Sequence, residues 1–336
     1  MNLWRVIILA MILGLGENRA AAADPPRSCR LTFDGHFKQR PNFSPDGKQL
    51  VFARRVGTKM RLFLADLESA AVAERAAKGP IKLIKERRLT DNLAGTGRKE
   101  EYDAVWSPDG SRLAFTYNRK PGALDVFMIA SNGSALVPFA VAQGKVTHQQ
   151  QPTWSPDGRR IAFTSTYDGN HEIYVVNVPI NGSDDGGKAV RLTSDLSLDV
   201  HPSWSPDGRR IVFATSRWGD LELAIMDADG SNLKRLTRSP RLDDYPVFSP
   251  DGRRIAFTSN RDRNLEIYVM NADGSEPRNL TRNAAIDQFP AWRSPLGETI
   301  SFVSNRDGGF DIYLLIRNAS STLPNSADAK EPVSLP

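Results

Sequence analysis

Apolar side chains in this chain recur at every second position in short runs. Ile211 and Phe213, or Ile255 and Phe257, alternate with other residues, which is the period of a β-strand and not that of a helix. Each run follows a Ser-Pro-Asp-Gly turn with an aromatic residue in front of it. Residues 204–213, WSPDGRRIVF, form one of six such units. The others are 43–52 (FSPDGKQLVF), 106–115 (WSPDGSRLAF), 154–163 (WSPDGRRIAF), 248–257 (FSPDGRRIAF) and a degenerate copy, 293–302 (RSPLGETISF). Proline fixes one backbone angle, aspartate accepts hydrogen bonds from turn amides, and glycine supplies the left-handed angle of a tight turn. Each unit therefore predicts a strand, a hairpin turn and a second strand. A third strand is predicted at 61–65, 125–129, 172–176, 222–225, 266–270 and 311–315, after polar turns such as 260–264 and 305–309. Asn-Gly or Asp-Gly turns then lead to a fourth short strand with an Arg-Leu-Thr-like signature at 88–90, 191–193, 235–237 and 279–281. Residues 136–141 take that place between the second and third units without the signature.

Four short antiparallel strands every 44 to 63 residues predict an all-β, six-bladed propeller of four-stranded blades. A parallel α/β fold is excluded because no helical crossover separates the strands, and an α-solenoid because the apolar period is two. After the sixth unit no fourth strand remains, but Arg30-Leu31-Thr32 supplies the missing copy at the other end of the chain. A strand at about 28–33 is therefore expected to complete the last blade and close the ring, removing an exposed sheet edge. Two places break the regularity. Extra length between the first two units falls in 67–85 and 91–102, and the Ala/Glu-rich stretch 68–77 fits a short helix or a long hairpin tip. In the sixth unit the spacing from Pro290 to the next Ser grows from three residues to four, and a bulge that keeps Trp292 in the core accounts for it.

Composition adds boundaries. Arg5, the apolar run 6–14 and the small residues 20–23 read as a signal peptide over 1–23. The apolar run ends at Gly16 and Glu17, short of a membrane span, so no span is expected in the mature protein. The propeller is assigned to 24–318, and the Ser/Asn/Pro/Ala-rich residues 319–336 are expected to form a disordered tail. The formal net charge of +5 is spread along the chain without a basic stripe, which gives no support to a nucleic-acid partner. Cys29 is the only cysteine, so no internal disulfide forms and stability must come from packing and closure.

The SPDG repeats, the SNRDG-type turn, the EIYVMN strand (266–271) and the Arg-Leu-Thr segment resemble the WD-like propeller repeats of the TolB family over residues 30–318. The resemblance implies a periplasmic or secreted bacterial protein and a TolB-like binding or scaffold role in a Tol-Pal-type envelope system. It also implies a protein or peptide partner such as a peptidoglycan-associated lipoprotein. The α/β domain that precedes the propeller in that family is expected to be absent, because the propeller begins within ten residues of the predicted cleavage site. The protein is expected to be monomeric and non-enzymatic, with no cofactor.

The segments between Arg-Leu-Thr and the next aromatic-Ser-Pro carry Asp199, Asp243 and Asp287 three residues before proline. His201, Tyr245 and Phe289 stand one before it, and Glu101 and Tyr102 are assigned the matching places in the second blade. These loops precede the innermost strands, so the eight residues are expected to meet at the channel mouth as a partner-binding ring. The alternative is that the rings pack between blades and the aspartates bond to turn amides. Asp46, Asp109, Asp157, Asp207 and Asp251 of the SPDG turns are read as structural. No catalytic residue is assigned: no G-x-S-x-G or H-E-x-x-H occurs. Metal ligands are assigned to none either, although His36, His148 and His201 fall in comparable pre-strand loops. A metal-dependent polysaccharide lyase of the oligogalacturonate lyase type, which shares this repeat, is the alternative function. Sugar binding through Trp218 and Tyr167 is a third.

Overall fold

A computed structural model describes residues 27–68, 82–90, 99–120, 122–140, 147–179, 188–293 and 299–316. The predicted signal peptide, the C-terminal tail and all but the first residue of the Ala/Glu-rich stretch lie outside the described residues. Six four-stranded antiparallel sheets make up the structure. Blades I to V run over residues 38–88, 101–140, 149–191, 199–235 and 243–279. Blade VI joins 287–316 to the N-terminal strand Arg27–Arg30. Within each blade the strands lie side by side in chain order, except that blade VI takes its fourth strand from the start of the chain. That strand pairs antiparallel with Asp311–Ile316, Arg30 opposite Tyr313, and Leu31 N extends the ladder by donating to Ile312 O at 2.8 Å. The closing strand thus occupies 27–30, at the front of the predicted span.

Side-chain alternation explains how the blades adhere. In blade IV, Ile211 and Phe213 pack with Ala162 and Val175 of blade III, while Val212 and Ala214 pack with Phe248 and Phe257 of blade V. The buried apolar residues divide into six clusters, each shared by two neighbouring blades, and the cluster holding Phe52, Phe63, Ile312 and Leu314 joins blade I to blade VI. The six phenylalanines behind the turns are at most 2% exposed, so truncating one to alanine removes about 3–5 kcal/mol. No blade can cover both of its faces alone, and the ring is the arrangement that covers all twelve.

The Arg-Leu-Thr signature has a polar task. Thr237 donates to Glu222 Oε2 at 2.6 Å and accepts from Leu223 N at 2.9 Å, while Arg235 Nη2 holds Glu222 Oε1 at 3.0 Å. Thr193 and Arg191 hold Glu172 in the same way. At the ring closure Thr32 and Arg30 hold Asp311 at 2.7 and 2.6 Å. The threonine hydroxyl and the guanidinium thus tie the outermost strand to a buried carboxylate at the head of the third strand.

In each SPDG turn the serine hydroxyl donates to the aspartate, whose Oδ1 also accepts the amide two residues on. These bonds hold Asp46, Asp109, Asp157, Asp207 and Asp251 below the ordinary carboxylate range, Asp109 at about 2, chiefly through the Ser107 hydroxyl. The turns stack round one rim: a Cβ on Gly208, whose φ is +70°, would stand 3.2 Å from Pro156 of the preceding blade. The degenerate sixth turn departs from this. Trp292 pairs with Ile300 where Trp204 pairs with Ile211, and Arg293 N donates to Thr299 O, so the extra residue falls between Arg293 and Thr299 and not in a bulge of the strand. Trp292 is buried in the core, and Arg293 takes the serine's place and donates from Nε to Gly47 O of blade I at 2.9 Å.

Candidate functional site

Every innermost strand is interrupted at the same point. Pairing with the second strand skips between Gln39 and Asn42, Tyr102 and Val105, Gln150 and Thr153, Val200 and Ser203, Asp244 and Val247, and Gln288 and Ala291. At each skip one residue adopts a left-handed backbone with φ between 44° and 60°: Arg40, Asp103, Gln151, His201, Tyr245 and Phe289. None is glycine, so each position costs about 1–2 kcal/mol of backbone strain. Five of the six precede a proline, which removes a ladder donor and disfavours the right-handed α region for the residue before it.

The bulges bring these six side chains together at the ring's centre. Tyr245 stands between His201 and Phe289, with ring centroids 3.9 and 4.6 Å away, and the Arg40 guanidinium lies 5.6 Å from its centroid. Arg40 Nη1 approaches Asp103 Oδ1 at 3.5 Å. Gln151 Oε1 accepts from Thr164 at 2.8 Å and from His201 N at 3.2 Å, so its amide nitrogen, 2.8 Å from His201 Nε2, is the donor there. The imidazole proton then sits on Nδ1, 2.6 Å from Asp244 Oδ1. Burial, and the nearby Asp244 carboxylate, push the Tyr245 hydroxyl well above its ordinary pKa. Beyond this plug, towards the SPDG rim, opens a cavity of about 280 Å³. Arg40, Tyr245 and Phe289 line one part of it, and Pro202, Trp204 and Phe248 are among the residues of its wall.

The predicted ring is therefore only partly assembled. His201, Tyr245 and Phe289 meet in the channel. Asp199, Asp243 and Asp287 do not: all three are fully buried and pair with Arg217, Arg261 and Arg306 of their own blades at 2.6, 2.8 and 2.9 Å. Burial raises Asp199 to about 6 against the pull of Thr215 and Arg217. Glu101 is buried as well, accepting from Thr90 at 2.6 Å and from Leu62 N at 3.0 Å. It stands in for the third-strand carboxylate that blade I lacks, where Arg61 occupies that position. Tyr102 is one residue out of register with the channel position and packs at the blade I–II seam, its hydroxyl on Glu100. Asp103 holds the channel place in blade II.

Arg40, Asp103 and Gln151 went unassigned because their types differ from those in the other blades. Their shared signal is position: each channel residue lies three before the aromatic that opens its unit. The histidines do not form one set. His36 is exposed beside Asp34, His148 bridges Leu124 outside the ladder, and His201 lies inside a strand. His171 is lowered by burial, then by His148 and His201. Among the described residues no group of three or more His, Cys, Asp or Glu could hold a metal ion. Tyr167 and Trp218 are partly exposed on neighbouring blades, and Arg235 lies over the Trp218 ring at 4.8 Å.

The family described as the TolB beta propeller domain matches residues 104–245 and 240–328. Among solved structures, a putative TolB from Agrobacterium tumefaciens aligns at a TM-score of 0.60 and 22% identity, covering 84% of this chain and 91% of that one. TolB from Acinetobacter baumannii aligns at 0.60 and 20%, covering 82% of this chain and 65% of that one, so the match spans less than two thirds of that protein. An oligogalacturonate lyase from Vibrio parahaemolyticus shares the fold at 0.55 and 13% identity, covering 88% and 95%. Among the curated proteins no match was found.

Proposed function

The chain belongs to the TolB beta propeller family, and on that premise we propose that it is a non-enzymatic binding propeller of the bacterial periplasm. Its central channel receives a segment of a protein or peptide partner. One observation carries the reading. The scaffold residues repeat from blade to blade, whereas the six channel residues, held in one backbone conformation, are six different amino acids: Arg40, Asp103, Gln151, His201, Tyr245 and Phe289. Packing a symmetric ring needs no such variety, but recognising an asymmetric ligand does. The charged and amide groups lie on one arc and the aromatics on the other. A chain segment carrying an apolar side chain and an anionic group fits the cavity, the first against Phe289 and the wall, the second against Arg40. The family resemblance makes a peptidoglycan-associated lipoprotein the first partner to test, and a Tol-Pal-type system the first setting.

The test is a crosslinked pull-down from envelope extract with the wild-type protein and with Tyr245→Ala and Arg40→Ala, followed by titration of the recovered partner. The expected result is recovery of an envelope protein or lipoprotein whose affinity falls at least about 30-fold on removing Tyr245, as for a central aromatic anchor worth about 2 kcal/mol. Recovery of no envelope protein, or of one indifferent to both substitutions, would refute the proposal.

A further inference from the structure

Blade V departs from blades III, IV and VI at its outer edge. In blades III, IV and VI an arginine fills the slot beside the third-strand carboxylate. Arg191 bonds Glu172 at 2.8 Å and reaches Asp168 at 3.5 Å, Arg235 bonds Glu222 at 3.0 Å, and Arg30 bonds Asp311 at 2.6 Å and reaches Asp307 at 3.6 Å. In all three the Nε donates to the threonine carbonyl two residues on, at 2.7 to 2.9 Å. Blade V keeps the receiving groups: Glu266 corresponds to Glu172, Asp262 to Asp168, and Tyr268 donates to Asp262 as Tyr174 does to Asp168. The arginine, however, is replaced by Asn279.

Asn279 is too short to do both jobs. It donates to Asp262 Oδ2 at 2.9 Å and does not reach Glu266. Among the described residues, Glu266, only 2% exposed, is held by neutral donors alone: Thr281, Asn264 Nδ2 at 3.1 Å and Asn283 N at 3.0 Å. A buried carboxylate without a cation is costly, and its counterparts in blades III, IV and VI each have one. Where their guanidinium lies, blade V has an open depression of about 660 Å³ lined by Asp262, Glu266, Tyr268 and Asn279. Arg278 and Arg282 also line it. Arg278 is turned to Glu276 at 3.0 Å, and Asp262 is held below its ordinary value by the Tyr268 hydroxyl, then by Asn279, with smaller contributions from the charges of Arg261 and Arg282.

We propose that this depression binds an arginine side chain of a partner protein, the guanidinium bridging Asp262 and Glu266 as Arg191 bridges Asp168 and Glu172. Such a planar fork matches two carboxylates at this spacing, whereas a lysine ammonium is a single point. The site is separate from the channel and does not rest on the channel's being a binding site.

The experiment is calorimetric titration of the intact chain with N-acetyl-arginine methylamide, methylguanidinium, free arginine and N-acetyl-lysine methylamide. Side-chain amide signals of Asn264, Asn279 and Asn283 are followed by NMR. The capped arginine is expected to bind at least tenfold tighter than the capped lysine, and methylguanidinium to shift the same amides. Glu266→Gln should lose the binding at least tenfold. Asn279→Arg, which supplies the guanidinium from within, should abolish it while raising Tm, so that loss of binding is not loss of fold. Equal affinity for the arginine and lysine probes, or undiminished binding in Asn279→Arg, would overturn the proposal. So would free arginine binding at least tenfold tighter than the capped form, since that assigns the slot to a free amino acid.

Discussion

Replacing Asp311 with asparagine tests the ring closure where its electrostatics are most concentrated. The carboxylate is fully buried and receives Arg30 at 2.6 Å, Thr32 at 2.7 Å and Lys38 at 2.9 Å. It thus ties the first residues of the propeller to blade VI and to blade I together. Lys38 is itself fully buried. With Asp311 neutralised, its only remaining carboxylate among the described residues is the partly exposed Asp34, alongside the carbonyls of His36 and Phe310. Breaking a buried pair by removing one charge costs about 3–5 kcal/mol. Asp307→Asn loses only the charge of the 3.6 Å pair from Arg30 at a half-exposed site, and its amide oxygen can still accept the Tyr313 hydroxyl, so it should cost less than about 1 kcal/mol. Urea unfolding followed by tryptophan fluorescence reads both, and hydrogen exchange at residues 27–32 reads release of the closing strand. The double variant Asp311→Asn/Lys38→Met removes both charges and should recover most of the loss. A cost for Asp311→Asn no larger than that of Asp307→Asn would refute the reasoning. The pH profile supplies a second check. Burial pushes the Asp311 carboxyl up, but Thr32, Lys38 and Arg30 together hold it below its ordinary value. A depressed carboxyl contributes stability in full above its unfolded pKa and loses it as pH falls through the folded value, so Asp311→Asn should flatten the acid limb below about pH 4.

Gly230→Ala should destabilise by about 2–4 kcal/mol: its φ is +91° and an added Cβ would lie 2.8 Å from Leu192 O of the preceding blade. Gly219→Ala, at φ +106° with nothing within 4 Å, bears only the conformational strain, about 1–2 kcal/mol, and equal losses of Tm in the two would argue against blade-to-blade contact at that rim. Asp199 works in the sense opposite to Asp311. Raised to about 6 by burial, it takes up a proton in the folded state before the unfolded chain does, so its contribution to stability grows as pH falls from about 7 to about 5. Asp199→Asn should abolish that increment, measurable by urea unfolding at the two pH values, and an unchanged pH difference would show that Arg217 keeps the carboxylate charged.

What the sequence determined by itself was whatever repeats. Turn chemistry and period-two alternation are local, and six copies made the blade, the blade count and the orphan Arg30-Leu31-Thr32 legible without any coordinates. The task of that signature was not legible, because Thr32 and Arg30 meet Asp311 across some 280 residues and only closure brings them together. The site divided along the same line. Tyr245, His201 and Phe289 are legible because they are rings standing before prolines in loops of equal length after an Arg-Leu-Thr-like segment. Asp199, Asp243 and Asp287 shared those loops but turn into the blades towards arginines. A strand bulge reverses which side of the strand a residue faces, and the proline that follows five of the six bulge residues marks the place without showing which neighbour turns inward. Arg40, Asp103 and Gln151 escaped for the converse reason: a site defined by six unlike residues at one register has no residue pattern to detect. The empty guanidinium slot of blade V became visible only once Glu266 and its sisters could be seen buried in equivalent places, because a missing partner has meaning only where the partner would have been.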